Sequence, residues 1–119
     1  MPPRPETTAH RGKLPGSCEL GDLFKLLSQA HMMDVLHVLL QEGGPLRFVQ
    51  VQERLDVSPN TLSARLKTLV DAGLATRAAL GGIPPRVDYE ATAKARDLRR
   101  VFDALGDWAG RHSLVADAA

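Results

Sequence analysis

The chain is 119 residues long, 44% hydrophobic and 24% charged, with a formal charge of only +1. That size and balance suit one small globular domain, and the charge is too weak to prove binding to a nucleic acid by itself, so any basic character has to be local. One cysteine, Cys18, excludes an internal disulfide framework, and no apolar run has the length of a membrane span or the form of a secretory leader, so a cytoplasmic protein is expected. Aromatic residues are 4% of the chain, so the core has to be mostly aliphatic.

Residues 1–16 carry Pro2, Pro3, Pro5 and Pro15, and set Arg4, Arg11 and Lys13 against the single acid Glu6. This composition predicts a disordered basic arm ahead of a folded unit spanning 17–119. A first helix is predicted over Glu19–Ala30, where Leu20, Leu23, Phe24 and Leu27 recur at helical spacing. A second is predicted over Met32–Glu42, with Met32, Val35, Leu36, Leu39 and Leu40 on one face, and Gly43-Gly44-Pro45 ends it.

Leu46-Arg47-Phe48 can make a very short strand before a short helix over Val49–Leu55. The turn Asp56-Val57-Ser58-Pro59 then leads into a helix running to Ala72. Ser58 can cap that helix by accepting from a free backbone N–H of its first turn, and Pro59 suits the first helical position, where no N–H is needed. Leu62, Leu66, Leu69 and Val70 make its buried stripe and Gly73 ends it. Asn60, Ser63, Ala64 and Lys67 then face outward, with Thr61, Arg65 and Thr68 at the edges.

Leu74–Leu80 and Val87–Ala91 read as the strands of a hairpin, with Leu74, Thr76, Ala78 and Leu80 on one face of the first and Val87, Tyr89 and Ala91 on one face of the second. Gly81-Gly82-Ile83-Pro84-Pro85-Arg86 forms the connecting tip, where the glycines allow unusual backbone angles and the prolines stiffen the return. A last helix is predicted over Ala93–His112, with Leu98, Val101, Phe102, Leu105, Trp108 and Ala109 on one face.

This order of elements is mainly α with a small β-hairpin, an α+β arrangement of helix, tight turn, helix and wing. A short polar helix held out by a compact scaffold fits the major groove of B-DNA. Between Ser58 and Val70 there are two basic residues and no acid. Asn60 can pair with adenine, Lys67 or Arg65 can reach guanine or phosphate, and Ser63 is small enough to let the helix approach a base edge. Ser58, Pro59 and Thr61 open the helix at the same surface. Arg86 and Arg77 are wing candidates for phosphate or minor-groove contact; Arg86 can instead pair with Asp88 or Glu90.

The stretch SPNTLSARLKTLVDAGLATR, followed by IPPRVDYEAT, closely resembles the HxlR-type winged-helix transcription regulators. The matching positions are Ser58, Leu62, Arg65, Leu66, Lys67, Leu69, Gly73, Leu74, Arg77, Pro84, Pro85, Arg86, Val87 and Tyr89. The resemblance extends over roughly Cys18 to Arg111. It implies a homodimeric DNA-binding regulator, with repression more in keeping with the family than activation, and with terminal helices packed across the dimer axis. Leu20, Leu23 and Phe24 on the first helix, and Leu98, Val101, Phe102, Leu105 and Trp108 on the last, are the expected interface. The chain departs from the family pattern at Cys18-Glu19, at Ala30-His31 and at Thr92-Ala93-Lys94-Ala95, so its DNA-binding half matches better than its sensing half.

Cys18 is the candidate redox sensor, because the positive end of a helix favours thiolate; Glu19 beside it opposes that, and a packing role is the alternative. His10, His31, His37 and His112 lack ligand spacing, so no metal site is expected. No phosphate-binding loop, nucleophile triad or carboxylate pair stands out, so neither a cofactor nor an enzyme activity is expected. The expected partners are double-stranded DNA and a second copy of the chain, with room for a small-molecule or oxidant inducer. Two other readings stay open: a winged-helix protein-interaction module without DNA binding, and a regulator whose main role is thiol sensing through Cys18.

Overall fold

A computed structural model describes residues 17–115, with side chains from Glu19 onward. The expected basic arm, 1–16, lies outside the described residues. The elements run α1 (Ser17–Leu27), α2 (Met32–Gln41), β1 (Leu46–Arg47), α3 (Phe48–Glu53), α4 (Pro59–Asp71), β2 (Ala75–Leu80), β3 (Arg86–Ala91), α5 (Ala93–Asp97) and α6 (Arg99–Arg111).

The aliphatic periodicity of α2 and α4 builds the core. Met32, Val35, Leu36 and Leu39 meet Leu62, Leu66 and Leu69, all of them fully or almost fully buried, and Val51 of α3 joins them. Leu46, Leu74, Ala75, Tyr89, Ala91 and Ala95 close the core at the sheet. Since burial of apolar surface supplies the main drive for folding, the alignment of these leucines is what holds the three-helix unit together.

The sheet is antiparallel in the order β1-β3-β2, so β3 is central. Leu46 pairs with Tyr89 and Arg47 with Asp88, while β2 pairs with β3 from Ala75↔Ala91 to Leu80↔Arg86. The buried face therefore runs through Ala75, Tyr89 and Ala91. The alternate face of β2 expected from sequence is only partly apolar in practice: Leu74, just ahead of the strand, is buried, but Thr76, Ala78 and Leu80 are exposed. The reason is topological, since β2 is an edge strand that leaves the core as it climbs into the wing.

The single terminal helix expected over Ala93–His112 is instead divided at Leu98. Backbone bonds from Leu98 N to Ala95 O and from Val101 N to Leu98 O tighten the junction to the i→i−3 kind. On either side of it, Arg96 reaches Glu42 O (3.5 Å) and Arg99 reaches Leu40 O (2.9 Å), the carbonyls at the C-terminal end of α2. Two cations thus satisfy acceptors that a helix end leaves unpaired. Beyond the junction α6 has no buried residue. Helix α1 starts two residues earlier than expected and stops at Leu27, so Cys18 falls within its first turn rather than ahead of it.

Candidate nucleic-acid interface

The recognition surface begins at Ser58. Its backbone is extended, its Oγ accepts from Thr61 N at 3.2 Å, and Pro59 follows at the first helical position. The Ser58 hydroxyl also donates to Thr61 Oγ1 at 3.0 Å. These contacts fix where α4 starts, and the fully buried Leu62, Leu66 and Leu69 fix which way it faces. Asn60, Ser63, Ala64 and Lys67 are consequently exposed, while Thr61, Arg65 and Thr68 are half-buried, the distribution the spacing predicts.

The polar groups of this face differ in what already engages them. Among the described residues, neither Asn60 nor Ser63 makes a side-chain hydrogen bond, so both present unengaged donors and acceptors. Lys67 Nζ lies 2.8 Å from Asp71 Oδ2, one helical turn on, with both side chains well exposed. Arg65 Nε donates to Ala30 O at 2.6 Å, in the turn between α1 and α2. Thr68 Oγ1 bonds back to Ala64 O at 3.1 Å and so belongs to the helix itself.

On the wing, Arg77 is exposed and makes no hydrogen bond or ion pair among the described residues. Arg86 is held by a two-pronged pair: Nε to Asp88 Oδ1 at 2.9 Å and Nη2 to Asp88 Oδ2 at 3.2 Å. The Asp88 side chain is only 7% exposed, against 44% for Arg86. The hydrogen bond to Asp88 is the main cause that raises the Arg86 pKa above its ordinary value. Of the two partners considered from sequence, Asp88 is the one Arg86 meets. Ile83 stands fully exposed at the wing tip, and Gly82 beside it takes a φ of 128°, a region that favours glycine.

Sequence reasoning passed over Arg47. It is exposed, its backbone N–H donates to Gln50 Oε1 at 2.9 Å, and with Arg86 it lines a cleft of about 600 Å³ between the start of α3 and the wing. The available signal was a basic residue opening the first helix of the helix-turn-helix, where α3 approaches the wing. Arg47, Arg77 and Arg86 lie on the three strands of one small sheet, and the register places Arg47 and Arg86 on one face and Arg77 on the other. The expected interface residues of the terminal helices sit apart from this surface: Val101 is 43% exposed, Leu105 55% and Trp108 48%, Phe24 of α1 is also exposed, and Leu20, Leu23, Leu98 and Phe102 are half-buried. Among the described residues, no helix is long and apolar enough to cross a membrane.

Residues 26–116 match the HxlR-like helix-turn-helix family. The chain is 35% identical over 75 residues to the uncharacterized HTH-type transcriptional regulator BH0655 of Halalkalibacterium halodurans, a match covering 62% of this chain and 66% of that relative's length. It is 33% identical over 95 residues to the HTH-type transcriptional regulator YodB of Bacillus subtilis, covering 79% of this chain and 83% of YodB. The reduced form of YodB superposes with a TM-score of 0.74 at 30% identity, over 84% of this chain and 97% of that one. The diamide-treated form gives a TM-score of 0.68 at the same 30% identity, over 79% of this chain and 92% of that one. The helix-turn-helix on α3 and α4, the β2–β3 wing and these matches agree: the chain belongs to the HxlR-like helix-turn-helix family, whose relatives found here are transcriptional regulators rather than enzymes.

Proposed function

We propose that the protein represses transcription as a homodimer bound to an inverted-repeat operator. In this reading residues 17–119 form one winged-helix unit with dimerisation helices at both ends, and residues 1–16 are a basic arm ahead of it. The protein works in the cytoplasm, where the operator is. The observation that carries the reading is the exposed face of α4: Asn60 and Ser63 unengaged, Lys67 as its cation with Arg65 half-buried at its edge, and no acid between Ser58 and Val70. Asn60, Ser63 and Lys67 reach into the major groove. Ser58, Pro59 and Thr61 bring the helix N-terminus to the backbone, and Arg65, Arg77 and Arg86 hold phosphates on either side, with Arg47 added to that set.

Two-fold pairing is supported by the apolar side of α6, where Phe102 is half-buried against the core but Val101, Leu105 and Trp108 stay exposed within their own subunit. Phe24 on α1 continues the same kind of surface. A second copy covers both, setting two recognition helices about one DNA turn, roughly 34–36 Å, apart. Selection of bound sequences from random duplex DNA tests the reading directly. An enriched inverted repeat, protected as two half-sites and silencing a downstream reporter, is the expected result. Failure to enrich any sequence leaves the protein-interaction module as the better description, and enrichment without two-fold symmetry removes the dimer.

A second reading adds thiol sensing to the first. It is favoured by Cys18 lying in the first turn of α1, where the helix dipole stabilises thiolate, and by the likeness to a regulator studied in reduced and diamide-treated forms. Operator binding by the parent and by Cys18→Ser is compared with and without mild peroxide. Loss in the parent alone supports an oxidant inducer; identical curves make Cys18 a packing residue.

A further inference from the structure

The recognition helix is tied by polar contacts to α5, which leads into α6, and to the turn that follows α1. At its C-terminal end, Ala72 O accepts from Lys94 Nζ at 2.7 Å, and Gly73 O accepts from Thr92 Oγ1 at 2.7 Å. Thr92 caps α5, its Oγ1 accepting from Ala95 N at 3.2 Å, and Lys94 is the second residue of that helix. Helix α5 leads through Leu98 directly into α6. Midway along α4, the Arg65–Ala30 bond makes the second tie, to the turn that follows α1. The two ties join residues 22 and 35 positions apart in the chain.

The leucine stripe of α4 supplies most of its adhesion, but apolar packing has no direction and tolerates small rolls and slides. A hydrogen bond to a particular carbonyl is directional and weakens steeply when misaligned. Lys94 is suited to this task. Its ammonium meets the end of α4, where helix carbonyls carry partial negative charge, and it meets no carboxylate among the described residues. A carbon at the Cβ position of Gly73, whose φ is 76°, would lie 3.4 Å from Lys94 Nζ, an ordinary contact distance, so the lysine passes beside this bend.

From this geometry we infer that Lys94 is a positioning residue: it fixes the angle of the recognition helix against the α5–α6 arm and thereby sets the half-site spacing that the dimer accepts. The inference rests on the dimeric reading above. It requires no contact between Lys94 and DNA. Lys94 acts through the carbonyl of Ala72, with the Arg65 tie as the second fixed point. Shorter or longer spacings are rejected because the two helices cannot turn to meet them without breaking these bonds.

The test uses the full chain and a set of duplexes in which the selected half-sites are moved apart or together by one and two base pairs, with an isolated half-site as control. The parent is expected to prefer one spacing by about tenfold, on the scale of one charge-assisted hydrogen bond. Lys94→Met keeps the aliphatic stem and loses the donor. It is expected to flatten that preference to under about threefold while leaving isolated half-site affinity unchanged. Lys94→Arg, which keeps a cationic donor, is expected to restore the parent profile. The inference is overturned if Lys94→Met keeps the parent's spacing profile, or if it weakens every duplex equally with the half-site included. If the parent itself has no two-fold preference, the dimeric reading fails first and this inference falls with it.

Discussion

At the residue scale, the cations of this surface are already engaged to different degrees, and their replacement should read differently. Lys67 and Asp71 form an exposed pair one turn apart, a kind worth only about 0.3–0.5 kcal/mol, so a phosphate can draw Lys67 away. Lys67→Ala is therefore expected to lower the salt dependence of binding by about one phosphate contact, a slope change near 0.9. Asp71→Asn is expected to raise affinity, because it removes the competing carboxylate. Titrations across a salt series check both. Asn60→Ala has no internal partner to lose, and is expected to cost about 1–3 kcal/mol at one base position while leaving the melting temperature in place. Arg86 combines two roles. Removing it leaves Asp88 in its buried site without its ion partner, so Arg86→Ala is expected to lower both DNA affinity and the melting temperature. Adding Asp88→Asn should recover the melting temperature and leave the affinity low. If Arg86→Ala melts with the parent, Asp88 does not depend on it.

At the element scale, α4 is fixed by its cap, its stripe and its terminal glycine, each with a separate energetic signature. Leu66 is fully buried between α2 and the sheet, and Leu66→Ala is expected to cost about 2–5 kcal/mol, read from the denaturant midpoint. Ser58→Ala removes the acceptor for Thr61 N, with an expected loss of about 1 kcal/mol. Gly73→Ala forces a side chain into a left-handed conformation, for about 1–2 kcal/mol more. Helix α6 obeys other rules. Thirteen residues with none buried is too short for a stable isolated helix in water, so its persistence depends on what packs against its apolar side.

At the scale of the whole molecule, that dependence becomes the assembly prediction. Leu105→Asp combined with Trp108→Glu places charge on the most exposed part of the apolar side of α6 without touching the core. Sedimentation is expected to shift from dimer to monomer, and binding to an inverted repeat to fall to the level of an isolated half-site. A variant that still sediments as the parent would move the two-fold contact elsewhere, with Phe24 and α1 the next surface to alter.

Local pattern was enough to place nearly every element. The Ser58-Pro59 cap, the Leu62/Leu66/Leu69 stripe, the glycine at 73 and the double glycine before Pro84 are short-range signals, and short-range backbone preferences and hydrophobic period are properties of the sequence itself. The outward set Asn60, Ser63, Ala64 and Lys67 follows from the same period, which is why the candidate groove-facing residues were legible without coordinates. What the sequence could not contain was the partner of each long polar side chain. Arg65 against Ala30, Lys94 against Ala72, and Arg99 against Leu40 join positions between 22 and 59 residues apart, and only the packed core brings these helix ends within reach. The division of the last helix at Leu98, the edge position of β2 and the exposure of Arg47 beside the wing were settled in the same way. Each depends on which neighbour lies across the core, a relation fixed by tertiary packing and invisible to any window along the chain.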